Sequence, residues 1–342
     1  MKVWLYVSGN NHVSHKLKDI DGVVAEVLSF PKWLFLSVYV IRGGYDIIHF
    51  QYLQGRLHHR GSKILSFVKT LNFIVNILVI KFFGVKIVWT AHHTESHEVE
   101  SSRLDWLGRQ LLLFASNKII ALELPVKTQM ESDFYVPSDI AVISLGNYRQ
   151  LHIERNKSGD EAMELPDQPS IISMIGMLRE YKRVPLGIQS TDKSMAERML
   201  IAGKPRSTQI KEKIEKTISD SYDETYKHFG FISDKGLVNY VERTDATLIL
   251  NNQDTVPATA LLSASCRTPI VATPGGVKEY FIEEYGIGIV AKSDQIEDIA
   301  DAIDDLLQED INPDWESFDE DHNWQKYRNE HANIYQKEAR SS

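Results

Sequence analysis

Between Thr90 and Glu98 the chain reads Thr-Ala-His-His-Thr-Glu-Ser-His-Glu, which crowds three imidazoles and two carboxylates just past an apolar run from Val85 to Trp89. Histidine titrates near neutrality and a carboxylate can take a proton from a hydroxyl, so the set suits general acid and base chemistry. Neither metal-ligand spacing nor a nucleophile elbow accompanies it. Further along, Ile175-Gly176-Met177-Leu178-Arg179-Glu180-Tyr181-Lys182 places a glycine and then two cations three residues apart. Arginine offers a bidentate fork and lysine a compact charge, a pair able to clamp a diphosphate and to neutralise a departing nucleotide. The segment Asn251 to Thr259 follows another apolar run and leads through Pro257, suited to a first helical turn, into a helix. Unpaired N–H groups at that helix start, with the threonine hydroxyls, make an anion site. The turn Thr273-Pro274-Gly275-Gly276-Val277-Lys278-Glu279 adds close backbone approach and, in Glu279, a carboxylate able to accept from a ribose.

Such groups need strands to hold them. Short β-branched runs at Val3–Val7, Tyr45–Phe50, Val85–Trp89, Lys118–Leu122 and Ile140–Ser144 alternate with helical stretches, the signature of βαβ units. After a polar bridge from Asn156 to Gln168 the pattern restarts at Ser170–Ile175, Met199–Ala202, Thr247–Leu250, Pro269–Ala272 and Ile287–Val290. The reading is an α/β protein with two Rossmann-like domains, residues 1–160 and 161–312. An acidic linker and terminal helix over 313–342 are expected to pack back on the first domain. In such sheets the carboxyl ends of the strands face the ligand crevice, and the motifs above all fall there.

At 342 residues with 43% hydrophobic content the chain can build two cores. Its single cysteine, Cys266, excludes an internal disulfide framework. Met1 to Val7 runs straight into a strand-like segment without a signal peptide's zones, so cytoplasmic residence is expected. Residues 1–150 hold 16 Lys and Arg against 12 acids, a net of +4, whereas the remainder nets −13. An acidic protein without a basic, aromatic-interleaved stripe is a poor nucleic-acid partner, while a basic first half suits an anionic membrane. From Ser62 to Phe83 an apolar helix carries one polar stripe of Ser62, Ser66, Lys69, Asn72 and Asn76. It reads first as a buried crossover helix, with an interfacial membrane helix as the alternative; its lysines and asparagines argue against a spanning helix.

These residues resemble the group 1 glycosyltransferases of the GT-B fold, the family 4-like members, across nearly the whole chain. The similarity is greatest to bacterial exopolysaccharide mannosyltransferases acting on lipid-linked oligosaccharides. Their pattern Trp-Thr-x-His-Asn-x-x-x-His-Glu looks like Trp89 to Glu98, their His-Gly-x-Tyr-Arg turn like Leu145 to Arg149, and their Arg-x-Tyr-Lys-Gly loop like Arg179 to Arg183. The resemblance implies two domains facing across a crevice, and transfer of a hexose from a nucleotide diphosphate sugar to a glycan or lipid-linked hydroxyl. It gives Arg179 and Lys182 to the donor phosphates, Asn252, Asp254, Thr255 and Thr259 to the nucleotide sugar, and the His92 to Glu98 loop to the sugars. This sequence departs at His93, Leu145 and Arg183. It also lacks the Glu-x7-Glu pair of many retaining members, Asp254 and Leu262 standing in those places.

For an inverting displacement the available bases are His92, His97 and Glu98, with Glu98 preferred and His92 aligning the donor sugar. Asn10, Asn11 and His12, beyond the first strand, are the acceptor-side candidates. No cofactor or metal is called for, because the cations and helix start supply positive potential. Asp19 and Asp21, and Asp319 to Asp321, read as surface loops. The adjacent pair His58-His59 reads as basic surface. Two alternatives stand beside the transferase: a sugar-nucleotide epimerase of the same fold, and a non-catalytic partner subunit. The expected location is cytoplasmic, with peripheral attachment to the inner face of the plasma membrane.

Overall fold

Parallel strands with helical crossovers account for the alternating apolar runs. The computed structural model describes residues 1–6, 16–20, 23–28, 35–51, 62–92, 103–166, 170–221, 225–251 and 256–340. The chain divides into two units, residues 1–146 with 321–342, and residues 147–320. These limits differ from the 160 and 312 read from composition. Helix Tyr148–Arg155 goes with the second unit because its His152 and Arg155 are bonded to Asp234 there.

The first unit runs β1 (Lys2–Tyr6), β2 (Val24–Leu28), α1 (Leu36–Arg42), β3 (Ile47–Phe50), α2 (Lys63–Phe82), β4 (Lys86–Ala91), α3 (Arg103–Ala115), β5 (Lys118–Ala121), α4 (Leu124–Asp133) and β6 (Ile140–Val142). Its sheet is parallel with strand order β2-β1-β3-β4-β5-β6. The second unit runs α5 (Tyr148–Arg155), β7 (Ile171–Ile175), α6 (Val184–Lys193), β8 (Arg198–Ala202), α7 (Thr208–Asp220), β9 (Thr225–His228), α8 (Asp234–Glu242), β10 (Ala246–Ile249), α9 (Ala258–Ser265), β11 (Ile270–Ala272), α10 (Val277–Tyr285), β12 (Gly288–Val290), α11 (Ile296–Gln308) and α12 (Trp315–Asp321). Its parallel sheet has the order β12-β11-β10-β7-β8-β9. The last helix, α13 (Trp324–Arg340), lies in the first unit, where Trp324, Tyr327, His331 and Tyr335 are buried. Central strands read as apolar runs because both faces are covered. Ile47, Ile87, Ile172 and Leu200, for example, have no exposed surface.

Two strands escape the apolar-run reading, β2 and β9, and both are sheet edges. An edge strand needs less apolar surface, and β9 reads Thr-Tyr-Lys-His.

Helix α2 corrects the expectation of a buried crossover helix. Its polar stripe points inward: Ser66, Thr70 and Asn76 are each 2–3% exposed. Phe73, Ile77 and Ile80 are buried beside that stripe, but most of the helix's apolar residues point out, with Ile64 76%, Leu78 63% and Phe82 85% exposed. The inward stripe is satisfied by hydrogen bonds. Asn76 Oδ1 accepts from both the N–H and the hydroxyl of Ser37 on α1, and its Nδ2 donates to Asn72 O at 2.8 Å. Ser62 caps the helix by accepting from Leu65 N.

Candidate functional site

In the second sheet the strand order reverses between β7 and β10, and such a switch point opens a crevice at the carboxyl ends of the two strands. A cavity of about 330 Å³ lies there, lined among others by Gly176, Arg179, Lys182, Asn251, Thr259 and His152. Lys182 ends a short 3-10 turn, Glu180–Lys182. Its Nζ donates to Ile175 O at 2.6 Å and to Thr259 Oγ1 at 3.4 Å. Loss of hydration, with the Arg179 charge nearby, lowers the ammonium to about 8. Arg179 is half-buried, its Nε 3.3 Å from Met177 Sδ and its guanidinium 5.8 Å from the Tyr181 ring. Helix α9 starts at Ala258 after the extended Pro257, and Pro257, Ala258 and Thr259 all line the cavity. The first-turn N–H groups of α9 and two cations thus border one space, which suits a diphosphate.

Glycines make the loop possible. Gly176 has φ +89, and a Cβ there would stand 3.2 Å from Lys182 Nζ. Gly203, after β8, has φ +148, and a Cβ would stand 1.9 Å from Gly176 O.

Other expected donor residues fall differently. Asn252, Asp254 and Thr255 lie outside the described residues. Glu279 is not among the residues lining the cavity, and its carboxylate accepts from Gly275 N. The neighbouring Lys278 is buried, donating to Gly275 O at 3.0 Å, and burial lowers its pKa. It staples the Gly275 turn from inside. Leu262, at the place of the second glutamate of retaining relatives, lines the cavity with an apolar side chain.

His152 is a cavity-lining group that sequence reading passed over. Its Nδ1 lies 2.8 Å from Asp234 Oδ1, and Arg155 and the Lys157 N–H hold the same carboxylate. Asp234 is 1% exposed. Burial pushes its pKa up, but the bonds from Arg155, Lys157 and His152 outweigh this and hold it at about 2. A carboxylate accepting at Nδ1 leaves Nε2 as the lone-pair nitrogen of neutral His152. Burial lowers the imidazole pKa, so the neutral form is favoured. The only sequence signal was an i, i+3 pair, His152 and Arg155, on a short helix; their carboxylate lies about 80 residues away.

In the first unit, His92 sits at the end of β4, 7% exposed, with Nε2 2.9 Å from Gln51 Oε1. Gln51 follows β3 and also approaches the buried His49 ring. His97, Glu98, Asn10, Asn11 and His12 lie outside the described residues. Among the described residues, no three metal-ligating side chains gather at one point.

The geometry is that of a doubly wound α/β unit with a cationic crevice at its switch point, and comparison with known proteins sharpens it. The glycosyl transferases group 1 family matches residues 157–331, just over half of the chain, and the chain belongs to that family. No curated protein matches it by sequence. Among solved structures, HepE of Anabaena, in complex with UDP and glucose, superposes with a TM-score of 0.70 at 11% identity, covering 98% of this chain and 100% of its own. Sucrose-phosphate synthase of Thermosynechococcus elongatus gives 0.72 at 14% identity, covering 100% of both chains. A protein of Listeria monocytogenes described as a UDP-N-acetylglucosamine 2-epimerase gives 0.62 at 10% identity, over 100% and 97%. At these identities the likeness concerns the fold, which is GT-B: two Rossmann-like domains, each with a parallel sheet.

Proposed function

We propose that the protein transfers a hexose from a uridine diphosphate sugar to a hydroxyl of a lipid-linked or polysaccharide acceptor. The observation that carries the donor half is Lys182, whose Nζ lies between the end of β7 and Thr259 at the start of α9. An ammonium there faces a diphosphate together with Arg179 and the helix N-terminus, so charge building on the departing nucleotide is met without a metal. HepE, of the same fold, was solved with UDP and with UDP-glucose, which supports uridine as the base. Asp-held His152 adds an acceptor nitrogen for a hydroxyl of the donor.

The acceptor half rests on α2. By length and apolarity it is able to cross a membrane. Its inward stripe, however, is bonded to α1 and α3 packs beside it, so one face alone is on offer. That face presents Ile64, Phe67, Leu71, Val75, Leu78 and Phe82 in steps of three and four. Residues 31–90 hold eight Lys and Arg against one acid, Asp46. An apolar stripe in a basic surrounding suits an interfacial helix on anionic lipid. The protein would then work peripherally, at the cytoplasmic face of the membrane, where lipid-linked acceptors lie.

Release of UDP from a panel of UDP-sugars, with and without a bacterial lipid extract, tests the reading. Acceptor-dependent release that persists in excess EDTA supports it. Sugar interconversion without acceptor would favour the epimerase, and donor binding without turnover a non-catalytic partner subunit.

A further inference from the structure

Behind His92 runs a buried chain of polar side chains on three elements of the first unit. Tyr335 of α13 places its hydroxyl 2.5 Å from His49 Nδ1, and His49 Nε2 lies 2.8 Å from Thr90 Oγ1 on β4. Gln51 Nε2 stands 3.1 and 3.4 Å from the two ring nitrogens of His49, and Gln51 Oε1 is 2.9 Å from His92 Nε2. His49, Gln51, Thr90 and Tyr335 have no exposed surface. His331 stacks on His49 at 5.6 Å and donates from Nδ1 to Tyr327 O at 2.8 Å. Burying this many polar groups is costly unless their bonds are made.

The protonation pattern follows from the donors. Burial, with His331 and His92 nearby, holds His49 well below its ordinary pKa, and burial lowers His331 to about 4. Burial raises Tyr335 well above 10. At neutral pH all three are therefore uncharged, and one His49 nitrogen carries a lone pair. An amide NH2 belongs against that ring, which leaves Gln51 Oε1 for His92. A carbonyl oxygen only accepts, so His92 Nε2 carries the proton that it donates to Gln51.

We propose that Gln51 is a positioning residue for transfer: it fixes the ring and tautomer of His92, with His49 and the α13 residue Tyr335 as the wall that holds its amide. The proposal rests on the reading of His92 as a sugar-side group in the proposed transfer.

The test uses the full chain with 15N-labelled histidine. Long-range 1H–15N spectra tell Nδ1–H from Nε2–H, and His92→Gln identifies the signal. The wild type is expected to show His92 as Nε2–H. In Gln51→Met, close in volume but without an amide oxygen, the tautomers mix and kcat falls about tenfold or more, while donor KM stays within about threefold. Gln51→Glu keeps Nε2–H, recovers much of kcat, and moves the acidic limb of the pH profile upward, because the carboxylate favours imidazolium and the neutral ring then forms only at higher pH. Tyr335→Phe gives a smaller loss in the same direction. His92 remaining Nε2–H in Gln51→Met overturns the proposal, as does a kcat loss that follows only the loss of melting temperature. If Gln51→Met fails to fold, Gln51→Glu decides by the same two readouts. The spectrum needs no turnover, so failure of the transferase reading and failure of the positioning role are told apart.

Discussion

Ser37 and Asn76 are joined twice: the N–H and the hydroxyl of Ser37 both donate to Asn76 Oδ1, each at 2.8 Å. This pair helps hold the polar stripe of α2 inward and so leaves the apolar stripe outside. Two opposite outcomes follow from one helix. Leu71→Glu with Leu78→Glu, at exposed positions, should leave the melting temperature within a few degrees while cutting sedimentation with phosphatidylglycerol vesicles about tenfold. Asn76→Leu should spare vesicle binding of the folded protein but cost about 1–3 kcal/mol, because the Ser37 N–H is left buried without its acceptor. Unchanged vesicle binding by the double variant would mean that the α2 face does not meet lipid.

Lys182, held near 8, gives the free protein a pH signature. Between about 8 and its ordinary 10.5 the unfolded chain keeps a proton that the folded chain has lost, so stability rises with pH across that window. The burial penalty is present in full below 8. Donor capture runs the other way: kcat/KM for the nucleotide sugar should fall as pH climbs through 8, when the ammonium is lost. Lys182→Arg keeps its charge and should remove that limb. Lys182→Met should lower kcat/KM at pH 7 by about a hundredfold and flatten the profile. A profile from pH 6 to 10 for the three proteins is the measurement.

Asp234 should dominate the acid side. With its pKa at about 2 in the folded protein against 3.8 ordinarily, its contribution is complete above 3.8 and is lost as pH falls towards 2. Asp234→Asn leaves Arg155 without its buried counter-charge and should cost about 3–5 kcal/mol in urea unfolding at pH 7, with a smaller difference from wild type at pH 2. His152→Gln, which touches the same carboxylate but lines the cavity, should instead weaken the donor more than it weakens the fold.

Gly203→Ala tests the glycine contact. At φ +148, with a Cβ 1.9 Å from Gly176 O, alanine must push the Gly176 loop away from β8. The expected result is a loss of about 2 kcal/mol or more in stability together with a raised donor KM, because Lys182 and Gly176 share that loop. Normal donor affinity in a folded Gly203→Ala protein would separate the loop from the site.

The sequence alone determined the central strands, the doubly wound class and the strand-end positions of Lys182 and Thr259. Each of these is written locally, in an apolar run followed by a turn, and a run followed by a turn at a carboxyl end is enough to place a side chain. Periodicity likewise showed that α2 has one polar stripe, but period cannot say which stripe faces the core. That was decided by distant partners: Ser37, 39 residues from Asn76, offers hydrogen bonds that no apolar side chain can accept, while Phe73, Ile77 and Ile80 are buried on the same side. The same limit hid Asp234 behind His152, 82 residues apart, and Tyr335 behind His49, 286 apart. Partners at such separations meet only because the sheets bring their strands and helices together. A buried polar group is stable only where that meeting supplies its bond, so tertiary structure alone decided which histidines are held.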